Sequence, residues 1–338
     1  MRYNGGLVGA KNTTTSNAAS GIWSLKNAQV ERGANVWPIF GAGIAGYFGG
    51  GSAVGAGLLA SIDKLTFSTQ TKSTLSATLT TAVSENAAMA NSGVAGYFAG
   101  GYDVSATLSR IDKITFPADT KSTLSATLSV AMIDFTGMAN SGVAGYFGAA
   151  FINNAPNSRI DKITFSTDSR TTLSATLTAP TYGASGAANT GTAGYFAGGA
   201  IQPGPITRID KITFSSDSKS TLSATLSTAR NYHVSLENYT TAAYFTAAGA
   251  SYNQIDKLTF STETISTLSA VVTATKNAGG NASDSKIAGY IAGGYNLSDV
   301  RTSAIEKLTF SGETVSVLSA TLTYAPGFLA GMADSGLL

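Results

Sequence analysis

Apolar and small polar residues alternate along most of this chain in short runs. Ile62-Asp63-Lys64-Leu65-Thr66-Phe67 is one such run, and Ser73-Thr74-Leu75-Ser76-Ala77-Thr78-Leu79 is another. Successive side chains of an extended segment point to opposite faces, so a period of two predicts half-buried strands. The runs are rich in Thr, Ile, Leu, Tyr and Phe, and turn residues separate them. Long stretches with a 3.6-residue period are absent, which argues against helical repeats. In the fourth repeat unit the pattern predicts strands over 231–236, 242–246, 208–214 and 220–226.

The first run returns at Ile111, Ile160, Ile209, Ile255 and Ile305, the last with Glu306 in place of Asp. An Ala-Gly-Tyr-Phe motif keeps the same phase, with its tyrosine at 47, 97, 146, 195, 244 and 290. Four strands in each unit of about 49 residues fit a propeller blade. The expected fold is therefore all-β, a six-bladed β-propeller over 45–338 preceded by an irregular or partly helical extension over 1–44. Met332-Ala333-Asp334-Ser335-Gly336 matches Met89-Ala90-Asn91-Ser92-Gly93, so the carboxyl-terminal strand is expected to complete the blade begun by 45–79. Such closure satisfies sheet edges that a linear array leaves open.

Composition removes several functions. A net charge of +2 over 338 residues gives no strong field for nucleic acid or anionic membrane. With no Cys and one His, thiol nucleophiles, disulfides, and Cys-ligated or multi-His metal sites are excluded. No metal or other cofactor is expected. No apolar stretch approaches the roughly 20 residues that span a bilayer, and no signal peptide is visible. His233 would have to serve any Ser-His-Asp triad, and no Gly-x-Ser-x-Gly elbow accompanies it. The expectation is that the protein is not an enzyme.

The order Ala-Arg230-Asn-Tyr-His-Val, then Ala-Tyr244-Phe-Thr, then paired glycines such as Gly100-Gly101, then Ile-Asp and a Thr-rich strand, resembles the kelch repeat across 45–338. It departs from that pattern in having Leu where the fourth strand usually carries Trp, as at Leu75 and Leu124, and Ala149-Ala150 for one glycine pair. The Ala/Ser/Thr-rich units, with Ala19-Ser20-Gly21-Ile22-Trp23-Ser24-Leu25 and Trp37-Pro38 before them, resemble virion-associated proteins of tailed phages. That resemblance implies a structural or adhesin component of a virion, such as a tail fibre, made in the host cytoplasm. Its partners would be other virion proteins, met through 1–44, and a host-surface glycan or protein; homo-oligomers are compatible with such a role. The alternatives are a bacterial glycan- or protein-binding propeller outside any virion and, third, a propeller glycosidase or lyase.

Candidate residues follow from comparing the six units. The loops between second and third strands diverge, whereas those between third and fourth are nearly uniform. Divergent loops on a rigid scaffold are where binding is expected, and these carry Tyr102, Phe151, Tyr252 and Tyr295. Arg110, Arg159 and Arg208 share one repeat position; they would either clamp an anion together or pair locally with Asp112, Asp161 and Asp210. The repeated Asp-Lys pairs read as blade-to-blade fasteners or solvated charges, since neighbours in a strand face opposite ways. In the extension a short helix over 25–32 is expected after Ser24. Trp23, Leu25 and Trp37 are expected either to brace the propeller or to anchor it to the particle.

Overall fold

The structure, a computed structural model, describes residues 13–14, 19–20, 44–246, 253–273, 277–296, 298 and 300–336. The chain divides into two compact units, 1–42 and 43–338. In the first, Thr13–Thr14 pairs antiparallel with Ala19–Ser20. The helix expected over 25–32 lies outside the described residues, as do Trp23, Leu25 and Trp37.

The described part of the second unit is all-β, with six four-stranded antiparallel sheets and no helix. Sheet I is made of Ala330–Ala333, Ala45–Gly49, Ile62–Thr66 and Thr71–Thr74, in that spatial order. Sheet II runs Ala87–Asn91, Ala95–Ala99, Ile111–Thr115 and Thr120–Thr123. Sheet III takes Thr136–Asn140, Ala144–Gly148, Ile160–Thr164 and Ser169–Thr172, and sheet IV takes Ser185–Asn189, Ala193–Ala197, Ile209–Thr213 and Ser218–Thr221. Sheet V consists of Ser235–Asn238, Ala242–Thr246, Gln254–Thr259 and Thr264–Val271; sheet VI of Gly280–Asp284, Ala288–Ala292, Ala304–Thr309 and Thr314–Thr321. The expected pairing of the carboxyl-terminal strand is present, with Tyr47 opposite Met332 and Gly46 opposite Ala333.

Of the four strands expected in that unit, 242–246 is found as expected, 208–214 is shorter by one residue at each end, and the other two are shifted. The strand expected over 231–236 begins at Ser235, because Tyr232 adopts a left-handed φ of 55° that interrupts extended pairing. The strand expected over 220–226 ends at Thr221. Beyond it, single bonds from Leu222 N–H to Ile209 C=O and from Leu226 N–H to Thr207 C=O hold the segment. In sheets V and VI the same segment is counted in the strand, across bulges at Gln254/Asp256 and Ala304/Glu306.

Each second strand is buried along its length because sheets cover both its faces. Its tyrosine packs against the phenylalanine that ends the third-strand run of the next sheet, stacked in five pairs and tilted by 32° in Tyr47–Phe116. The pairs are Tyr47–Phe116, Tyr97–Phe165, Tyr146–Phe214, Tyr195–Phe260 and Tyr244–Phe310, and Tyr290–Phe67 joins sheet VI to sheet I, all at 4.8 to 5.5 Å between ring centres. Such pairs contribute roughly 0.5–1.5 kcal/mol beyond their buried area.

The glycine of Ala-Gly-Tyr-Phe makes room for the preceding sheet. A Cβ on Gly145 would lie 1.9 Å from Met89 Sδ, one on Gly194 2.3 Å from Met138 Sδ, and one on Gly96 2.2 Å from Met332 Cε. In sheet V the glycine is Ala243, and the residue facing it from sheet IV is Ala187, not methionine. At Gly46 and Gly289 the residues in the way are Ala282 and Leu236, at 2.6 and 2.7 Å from an added Cβ.

The Asp-Lys pairs act as fasteners in both directions. Lys64 Nζ and Tyr47 Oη both donate to Asp119 in the third-to-fourth turn of sheet II, at 2.7 and 2.8 Å. Lys113 and Tyr97 do the same to Asp168, Lys162 and Tyr146 to Asp217, Lys211 and Tyr195 to Glu263, and Lys257 and Tyr244 to Glu313. The aspartate of each pair points the other way, to the preceding sheet. Asp112 accepts from Thr80 N–H and Oγ1, Asp210 from Thr178, and Asp63 from Thr323. Alternation along the strand is what lets adjacent charges serve two different neighbours.

Candidate functional site

Glu85, Asp134, Gly183, Tyr232, Ala278 and Phe328 occupy one repeat position, just before the strand that begins each of the six sheets as ordered above. All six have left-handed backbone, with φ between 52° and 62°. For the five with a Cβ this costs of order 1–2 kcal/mol each, so something must hold the conformation in place. The restraint is a ring of main-chain bonds that runs from sheet to sheet. Gly183 N–H donates to Asp134 C=O, Tyr232 to Gly183, Ala278 to Tyr232, Phe328 to Ala278 and Glu85 to Phe328, at 2.6 to 2.9 Å. The remaining bond, from Asp134 N–H to Glu85 C=O, is not made.

These residues rim a cavity of about 100 Å³, whose walls include Asn86, Phe135, Thr136, Ser185, Ser235, Asn281 and Leu329. Main-chain bridges tie the divergent loops to the segments that carry the rim. Tyr102 pairs with Ser84, Phe151 with Ile133, Ala200 with Tyr182 and Tyr295 with Asn277. Loop and cavity therefore lie on one face.

Across the rim, Tyr232 Oη donates to Asp134 Oδ2 at 2.8 Å. It reaches over Gly183, where an added Cβ would meet the Tyr232 ring at 3.1 Å, so the glycine is what permits the reach. A row of rings crosses the face: Phe151–Tyr182, Tyr182–Tyr232, Tyr232–Phe328 and Phe328–Tyr295, at 5.1, 6.1, 5.4 and 5.9 Å. Arg301 covers Tyr295 and donates to its hydroxyl.

The electrostatics are those of uncompensated negative charge. Burial, and then the charge of Asp134, raise the Glu85 carboxyl to about 7. Burial also raises Asp134, opposed by the hydrogen bond from Tyr232. Burial and Asp134 together push the Tyr232 phenol well above its ordinary range. Among the described residues, the cavity lining contains no Lys or Arg. His233 lines it but is buried, with its pKa driven well down by burial and by Arg230, so it is neutral. Arg230 is itself consumed by a buried ion pair with Asp256 at 2.6 Å and by the carbonyls of Phe245 and Thr246.

Of the residues singled out in the sequence, Phe151 and Tyr295 stand at the two ends of the ring row. Tyr102 is on the same face, 39% exposed, and has no ring partner among the described residues. Tyr252 lies outside the described residues. The three arginines are held locally. Arg110 donates to Thr81 and sits 3.6 Å from Asp112, Arg159 donates to Ser129, and Arg208 donates to Asp210 and Thr181. The rim itself escapes a reading confined to loops. Its signal is a repeat column in which glutamate, aspartate, glycine, tyrosine, alanine and phenylalanine replace one another, flanked by columns that diverge as well, with Asn86, Phe135, Ala184, His233, Gly279 and Leu329 on one side.

Comparison of the sequence with protein-family models and with curated proteins finds no match in either.

Proposed function

We propose that residues 45–338 are a kelch-like six-bladed β-propeller, closed by its carboxyl-terminal strand, that works as a non-catalytic recognition module for glycans. The observation that carries this reading is the contrast within the repeat. Fastener and stacking positions stay nearly constant, while the rim and the loops bridged to it diverge into a row of aromatic rings beside two carboxylates. Aromatic faces suit sugar rings, and carboxylates accept from their hydroxyls. The setting we propose is a phage virion. There residues 1–44 attach the protein to the particle, and many weak contacts sum to firm adhesion to the host.

The test is binding of the purified protein to a panel of bacterial surface glycans, compared with Tyr232→Ala and Phe328→Ala. Binding that both substitutions weaken tenfold or more supports recognition at the rim. Binding untouched by either moves the site elsewhere, and hydrolysis of any glycan on the panel would put the glycosidase reading first. Particle incorporation lost on deletion of 1–44, with the remainder still folded, supports the virion setting.

A further inference from the structure

We propose that the rim cavity binds an ammonium group carried by an amine-bearing sugar, held between the Glu85 and Asp134 carboxylates and the rings of Tyr232 and Phe328. The inference rests on the glycan reading above and adds the chemistry of its anchor.

The first observation is a pairing that is missing. The repeat neutralises its acids thoroughly, with a lysine for each of Asp119, Asp168, Asp217, Glu263 and Glu313. Asp63, Asp112, Asp161, Asp210 and Asp256 each accept hydrogen bonds from the preceding sheet. Glu85 is different: among the described residues its carboxylate has neither a hydrogen bond nor an ion pair. It sits beside a second carboxylate, in a lining that supplies no basic side chain. Two like charges in a partly buried site are unfavourable together, and a cation between them relieves both.

The second observation is the aromatic wall. Phe328 precedes Glu85 around the rim and is linked to it by the Glu85 N–H to Phe328 C=O bond. Tyr232 is fixed against Asp134 by its hydroxyl and meets Phe328 edge to face, with an interplanar angle of 89°. Two aromatic rings and two carboxylates lining one small cavity are the elements that select an organic cation over a neutral hydroxyl group. A cavity of about 100 Å³ takes a head group and leaves the rest of a glycan to the half-buried row of rings.

The discriminating experiment uses a glucosamine trisaccharide and its fully N-acetylated counterpart, which share their rings and linkages and differ at nitrogen, a protonatable amine in one and a neutral acetamide in the other. Each is titrated calorimetrically into the full-length chain at neutral pH, with Nα-acetyl-lysine amide as a third probe. The expected result is at least tenfold tighter binding of the free-amine trisaccharide. Glu85→Gln, which is nearly isosteric and is checked for a native melting transition, should abolish that preference. Equal binding of the two trisaccharides, unchanged in Glu85→Gln, overturns the ammonium inference and leaves glycan recognition standing. Glu85-dependent binding of the lysine probe, with neither sugar bound, overturns the glycan reading and with it the amine-bearing sugar. Binding of none of the three overturns the proposal.

Discussion

Gly145 lacks a side chain because Met89 of the preceding sheet fills the space where one would go. Gly145→Ala is expected to destabilise the protein by about 2 kcal/mol, as overpacking of a closed interior does. Met89→Ala in the same chain should recover part of that loss, since sheets IV and V already meet through Ala187 and Ala243. Urea denaturation of the single and double variants measures the coupling, and strict additivity would contradict the direct contact. Glu85 makes a different residue-scale prediction. Its folded pKa, about 7, lies above its ordinary value of 4.5, so the folded state holds the proton more tightly than the unfolded state. That preference favours the fold below about 4.5 and is lost as pH rises to 7, leaving a full penalty above it. Glu85→Gln should therefore match the wild type in melting temperature near pH 4.5 and exceed it near pH 8. A parallel pH dependence in the two proteins would show that Glu85 does not carry the effect. Such single-residue features were partly legible: the glycine of Ala-Gly-Tyr-Phe is plain in the sequence, but that methionine is what excludes its Cβ is visible only across two sheets.

At the scale of the element, the third-to-fourth turn is the unit of fastening. Five of these turns present a carboxylate to the lysine and tyrosine of the preceding sheet. At the seam between sheets VI and I that place is taken by Gln70, whose φ of 53° matches those of Asp119 and Asp168. Gln70→Glu should add the missing fastener to Tyr290 and Lys307. The gain should be small, about 0.5 kcal/mol or a rise of about 1 °C in Tm, because the equivalent lysines are a fifth to a quarter exposed and water screens such pairs. Asp168→Asn should move Tm the other way, and differential scanning calorimetry resolves both. The strands were legible because period-two alternation is a local property. Their exact ends were not: the left-handed turn at Tyr232 is imposed by the ring of bonds it joins, not by tyrosine's own preference.

For the molecule as a whole, 330–333 is the element whose loss matters most. It pairs with Ala45–Gly49, places Met332 against Gly96 of sheet II and carries Asp334, whose carboxylate accepts from the Ile44 and Ala45 amides. Removing 329–338 would strip sheet I of the strand paired with Ala45–Gly49 and leave both the 45–49 edge and the Gly96 pocket open. Loss of a single cooperative thermal transition is the expected outcome. A truncated chain that melts as sharply as the intact one would mean that the strand is an accessory to the fold.

The sequence by itself determined the repeat, the strand-forming alternation, the pairing of the last strand with the first unit and the exclusion of thiol and multi-His chemistry. Each depends on residue type at a fixed spacing, and spacing survives without coordinates. Which variable residues meet is set by how the sheets pack. Glu85, Asp134, Tyr232 and Phe328 are separated by 49, 98 and 96 residues along the chain, and become neighbours because successive sheets bring one repeat position to one rim. The same assembly turned Arg110, Arg159 and Arg208 toward local partners, since each is satisfied within hydrogen-bond reach before any shared ligand is considered. Local periodicity fixes what each strand buries, whereas the chemistry of a site depends on distances that only the packing of distant segments sets.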